Sequence, residues 1–116
     1  MIKMYGIPNC DTIKKARKWL ESNGLDYEFH DYKKQGVPEK NLKQWVKQAG
    51  WETLLNRRGT TWRKLPEDVR ENIDEASAIE VMMDNPSAIK RPVLEADKAL
   101  LIGFKEDEYQ KLACLF

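Results

Sequence analysis

The stretch GIPNCDTIKKA, residues 6–16, places one thiol at a turn between a short apolar run and a helical pattern. Cys10 follows Pro8 and Asn9, which break the run, and so falls at the start of a helix. Unpaired backbone N–H groups and the positive end of the helix dipole favour a thiolate there, which is the case for Cys10 as a nucleophile. Asp11 is adjacent and anionic and opposes the thiolate, while Lys14 compensates only if it is suitably oriented. A dithiol motif would carry its second cysteine at position 13, where this chain has Ile13. From spacing alone two readings of Cys10 stand side by side: a reactive thiol, or a small apolar residue packed near a helix start.

Two further stretches could work with a thiol. In KRPV, residues 90–93, Pro92 opens a strand and Arg91 is pushed away from helix, a place where a cis peptide can aim the backbone at a site. The plainer reading is an edge-strand proline beside an exposed Arg91. In NRRGTTWRK, Arg57, Arg58 and Arg63 form a basic cluster whose guanidinium forks suit carboxylates or an oxyanion. The alternative is a solvated loop. His30 reads as structural or exposed, and one histidine with two distant cysteines offers no metal-site spacing. Trp19, Trp45, Trp51 and Trp62 are spread through helical segments and read as packing residues. Cys114, near the chain end, reads as a surface or half-buried thiol, not a resolving partner.

The elements that must position these residues follow from periodicity. IKMYGI predicts a strand; Ile13, Ala16 and Leu20 predict a helix stopped at Asn23-Gly24; DYEFHDY predicts a second strand. Such a strand-helix-strand unit is expected to pair its strands in parallel. Pro38 opens a helix with an apolar stripe of Leu42, Trp45, Val46 and Ala49, ending at Gly50. A helical turn around Leu54 and Leu55 and a loop through Gly59 come next. PEDVRENI and SAIEVMMDNP predict two short helices, the second opened by Ser77 with Glu80 as a capping box and closed by Pro86. IKRPVLEADKALLIGF predicts two antiparallel strands turning at Ala96-Asp97-Lys98, followed by a helix from about Glu106 to Leu115 that buries Tyr109, Leu112 and Ala113. The order βαβ, helical insertion (about 38–86), ββα is that of a thioredoxin-like α/β fold with a mixed central sheet.

The 116 residues are expected to form a single domain, 1–116, able to bury one core without disulfides or metal. With 20 Lys and Arg against 19 Asp and Glu, the net charge of +1 gives no general attraction to nucleic acid or membranes. No window approaches a membrane span, and two cysteines are too few for a secreted disulfide framework, so the chain is read as cytoplasmic with reduced thiols.

MYGIPNCDTIKKARKWLESNGLDYEFHDY, LLNRRGTTWRKL and IKRPVLEADKALLIGFKEDEY together resemble the bacterial arsenate reductase (ArsC)/Spx family and, within it, the YffB-like branch, over essentially the whole chain. The resemblance implies a thioredoxin-like fold with a helical insertion. It implies a monothiol, glutathione-dependent thiol oxidoreductase with Cys10 as nucleophile and Arg91 as a catalytic, charge-stabilising arginine. Asn9, Arg57, Arg58 and Pro92 are then expected to hold glutathione or substrate, with either Arg57 or Arg58 matching a second family arginine. The reductases carry a further arginine where this chain has none, near Gly103. Glutathione is the implied co-substrate, with no metal. Glutaredoxin is an implied partner, and a small oxidised compound or protein disulfide the implied substrate. Spx-type regulators of the same family contact RNA polymerase and usually carry a CxxC switch, which Ile13 removes. A binder of that kind is the alternative.

Overall fold

The apolar periodicities become helices and strands in the computed structural model, which describes residues 2–96 and 99–114. In chain order the elements are β1 (Ile2–Gly6), α1 (Asp11–Ser22), β2 (Tyr27–Asp31) and a single turn, α2 (Tyr32–Gln35). Then come α3 (Glu39–Ala49), α4 (Trp51–Leu54), α5 (Thr60–Arg63), α6 (Glu67–Glu71) and α7 (Glu75–Asp84), with a 3-10 turn at Pro86–Ala88. The chain returns in β3 (Val93–Ala96), β4 (Ala99–Ile102) and α8 (Glu106–Ala113). These elements group into two compact units, Met1–Gln35 with Arg91–Phe116, and Gly36–Lys90.

In the first unit β1 lies inside a four-stranded sheet of order β2-β1-β3-β4. It pairs in parallel with β2, Ile2 opposite Tyr27, and antiparallel with β3, Tyr5 opposite Val93. β4 pairs antiparallel with β3, so the sheet is mixed, as the element order predicts. Ile2 and Met4 alternate onto one face, where they meet Leu94, Ile13, Ala16 and Leu20 of α1, and Tyr109 and Leu112 of α8. Each fully buried aliphatic side chain contributes about 1.5–3 kcal/mol, which outweighs intrinsic propensity in a helix as short as α1. α1 stops where Gly24 turns to φ +68°. There the N–H of Leu25 donates to the Leu20 carbonyl and that of Gly24 to the Glu21 carbonyl, a Schellman ending.

In the second unit Leu42, Trp45 and Val46 of α3 are buried, as are Ala78, Val81 and Met82 of α7. Leu55 and Ile89 form an isolated antiparallel bridge, flanked by Asn56 N–H to the Ala88 carbonyl and Lys90 N–H to the Leu54 carbonyl, both 2.7 Å.

Three expectations change. The cap of α7 is Asp74, one position before the helix, whose carboxylate accepts from Ser77 N–H while Ser77 Oγ lies 2.9 Å from the Asp74 N–H. Ser77 therefore closes the box from inside the helix and does not open it. The first hairpin strand starts at Val93, because Ile89 is already committed to Leu55. Pro92 is buried and precedes β3, which is flanked by β1 and β4, so it is not an edge-strand proline. Ala96 pairs with Ala99 across the hairpin; Asp97 and Lys98 of the expected turn, and Leu115 of the last helix, lie outside the described residues.

Candidate functional site

Cys10 is the N-cap residue of α1, in extended conformation at φ −126° and ψ 128°. Its carbonyl accepts the first helical bond, from Lys14 N–H at 3.0 Å, but its side chain makes no capping hydrogen bond. Helix geometry leaves the N–H groups of the first turn without intrahelical acceptors, and a Ser, Thr, Asp or Asn cap would normally take one of them. This helix starts instead on a half-buried free thiol that packs against the apolar cluster of the first unit. Asp11 sits in the first turn and is exposed, and Asn9 is exposed on the approach to it.

The strand end that carries this turn is unusually tight. A Cβ on Gly6 would collide with the Ile13 side chain and lie 4.0 Å from Arg91 Cγ. Glycine thus lets the end of β1, the first turn of α1 and the stem of Arg91 converge. Ile13 is fully buried in that contact. Arg91 itself is half-buried, and the Arg91-Pro92 peptide is cis. The Pro92 carbonyl accepts from Gly103 N–H at 2.9 Å, and Gly103, at φ +80°, faces open space where a side chain would stand. Phe104 follows, its ring 4.8 Å from that of Tyr109 and packed, like Cys10, against the apolar cluster.

The structure therefore brings the end of β1, Ile13 in the first turn of α1 and the stem of Arg91 together, with Cys10 three residues before Ile13 and Pro92 next after Arg91. Arg57 and Arg58 belong to the second unit and are exposed. Arg57 lies 5.7 Å from the ring of Trp51, and the Arg58 N–H donates to Asn56 Oδ1. Gly6 and Phe104 were not singled out from sequence; a glycine closing a strand just before a functional turn is the signal that points to the first.

On the sheet face opposite α1, His30 lies between Tyr5 and Tyr32, with ring centroids 5.0 and 6.0 Å away. Burial first, then the carboxylate of Glu95, pushes the Tyr5 hydroxyl up to about 12. Burial likewise pushes Tyr32 and Tyr109 upward. Among the described residues no group of three or more His, Cys, Asp or Glu could hold a metal ion, and no helix is long and apolar enough to cross a membrane.

The ArsC family model matches residues 5–112. A solved YffB protein superimposes with a TM-score of 0.93 at 50% identity, over 96% of this chain and 97% of that one. An arsenate reductase (ArsC) related protein from Brucella melitensis is 58% identical, with a TM-score of 0.77, over 95% of this chain and 92% of that one. The global transcriptional regulator Spx of Streptococcus agalactiae is 32% identical over 93% of this chain and 80% of its own length.

Proposed function

Since the chain belongs to the ArsC family, we propose that it is a monothiol, glutathione-dependent thiol oxidoreductase of the cytoplasm, built as one thioredoxin-like domain, with Cys10 as its nucleophile. The observation that carries this reading is the α1 N-terminus, where a thiol occupies the capping position and forgoes a cap worth about 1 kcal/mol. A residue that gives up a local stabilisation at a helix start, four positions after the glycine against which the Arg91 stem lies, fits a chemical role better than a packing one.

The Cys10 thiolate attacks the glutathione sulfur of a mixed disulfide, forming a Cys10–glutathione disulfide and releasing the substrate thiolate. A second glutathione thiolate then attacks the bound glutathione sulfur, giving oxidised glutathione and restoring the Cys10 thiolate. A glutaredoxin could supply that second thiol. Arg91, with Asn9 and Pro92 as further contacts, holds the glutathione carboxylate and offsets charge developing on sulfur.

The test is turnover of the mixed disulfide of glutathione and 2-mercaptoethanol, coupled to glutathione reductase. Cys10→Ser is expected to abolish turnover while keeping the fold. Arg91→Ala is expected to cost about tenfold or more in kcat/KM, the worth of a charge-assisted hydrogen bond. Undiminished turnover in Cys10→Ser would refute the reading. The likeness to an Spx regulator supports a second reading, a binder of RNA polymerase without a CxxC switch. A stoichiometric polymerase complex recovered equally well with Cys10→Ser would favour it.

A further inference from the structure

Strand register places a half-buried aromatic residue at the same end of the sheet as the thiol. β1 ends at Gly6 and runs on into the turn that carries Cys10. Tyr5 pairs with Val93, the first residue of β3, and Val93 pairs with Ile102, the last of β4. The turn before α1, the Arg91-Pro92 peptide and the segment Gly103-Phe104 therefore leave the sheet at one end, and the Gly103 N–H donates to the Pro92 carbonyl at 2.9 Å. They share a face as well: Cys10 and Phe104 both pack against the cluster that Ile13, Leu94 and Tyr109 help to build on the α1 side. Only β3 lies between β1 and β4, a gap of two strand spacings or about 10 Å. Glutathione, a tripeptide extending by about 3.5 Å per residue, is as long as that gap, so its mixed disulfides span it.

Phe104 is half-buried, so part of its ring stays open at that end, and the ring is held in one pose. It stands edge-on to Tyr109, with centroids 4.8 Å apart at 88°, and Tyr109 stands edge-on to Trp19 of α1 at 5.6 Å and 85°. Tyr109 is fully buried and gives the stack a fixed base. Gly103, beside the ring, has φ +80°, and a Cβ there would meet no described atom within 4 Å. The left-handed turn that calls for glycine thus leaves a gap next to the ring. An oriented aromatic ring beside a gap suits an apolar group and offers a carboxylate nothing.

We propose that Phe104 and Gly103 form the subsite for the leaving thiol of the mixed disulfide and select an apolar or aromatic one. The inference rests on the monothiol reading of Cys10, in which Arg91 takes the charged glutathione half and leaves the ring to the half that departs. In the step it serves, the Cys10 thiolate bonds to the glutathione sulfur and the bond from that sulfur to the substrate sulfur breaks. The substrate sulfur leaves with the electron pair and takes a proton from solvent.

The experiment compares kcat/KM of the full chain on two mixed disulfides of glutathione, one with phenylmethanethiol and one with 2-mercaptoethanol, thiols of similar acidity, with glutathione reductase as the coupling enzyme. The wild-type chain is expected to prefer the phenylmethyl substrate about tenfold, the worth of partly burying one aromatic group. Gly103→Asn, a residue that tolerates positive φ, fills the gap and should lower that ratio several-fold. Phe104→Ala should bring the ratio near one, whereas a merely structural effect would lower both values together and leave it unchanged. Should Phe104→Ala fail to fold, Gly103→Asn alone decides. A ratio near one in the wild type, or a ratio that the variants do not move, would overturn the subsite and leave the role of Cys10 standing. No turnover of either substrate by the wild type would overturn both.

Discussion

Replacing Gly6 with alanine tests the close packing of the end of β1 against Ile13 of α1 and the stem of Arg91. The new methyl would collide with the Ile13 side chain, while its distance to Arg91 Cγ, 4.0 Å, is ordinary contact. Ile13 is fully buried and has little freedom to turn aside. Overpacking of that kind costs about 1–3 kcal/mol. Restriction of the unfolded chain by alanine offsets about 0.4–1 kcal/mol of it. A net loss of about 1–2 kcal/mol is expected in urea unfolding. Ile13→Val alone costs about 0.5–1.5 kcal/mol by shortening a buried side chain. In the Gly6→Ala background the same shortening removes the colliding Cδ1 atom, so the double variant should recover about 1–2 kcal/mol relative to the sum of the single changes. Additivity within about 0.5 kcal/mol would refute the close-packing argument.

Cys10→Ser, inactive in turnover, should gain up to about 1 kcal/mol in the same urea experiment, because serine supplies the missing cap; a clear loss would show that the thiol's packing outweighs the vacant cap. The Ser77 main-chain N–H holds the Asp74 carboxyl below its ordinary range, with the Ser77 side chain adding to the effect. The stability this lends is present above the unfolded carboxyl value and is lost as pH falls through the lower folded one, so Asp74→Asn should flatten the acid limb of a stability profile. Tyr5, raised to about 12, lends stability that is complete below its unfolded value near 10 and is lost as pH rises through about 12. Alkaline unfolding of Tyr5→Phe should therefore be less steep across that interval.

What the sequence revealed follows the range of the forces involved. The α1 stripe of Ile13, Ala16 and Leu20, its Schellman stop at Gly24 and the placing of Cys10 at the helix start are local, and all were readable from spacing. The α7 cap was misplaced because Ser77 with Glu80 and Asp74 with Ser77 satisfy the same three-residue pattern, and only the folded backbone selects one register. Whether Pro92 enters an edge or an interior strand depends on strand order, which no local pattern encodes. The convergence of Gly6, Ile13 and Arg91 is likewise a tertiary fact. The bridge from Leu55 to Ile89, which shortens the first hairpin strand, also joins distant segments and has no local signature.

The interior position of β1 has a consequence for the order of events in folding. Its parallel partner β2 is reached through one short helix, but its other neighbour arrives late: Tyr5 bonds to Glu95, 90 positions along the chain. During synthesis the β1-α1-β2 segment must therefore wait with one side of β1 unpaired while the whole second unit is made. That second unit contains its own buried residues and its own bridge, and its contacts span shorter loops, so it is expected to gain protection from hydrogen exchange first. The apolar cluster against which Cys10 packs is completed only when Leu94 of β3 and Tyr109 and Leu112 of α8 have been made, so a chain shortened before Val93 lacks part of the packing around the thiol.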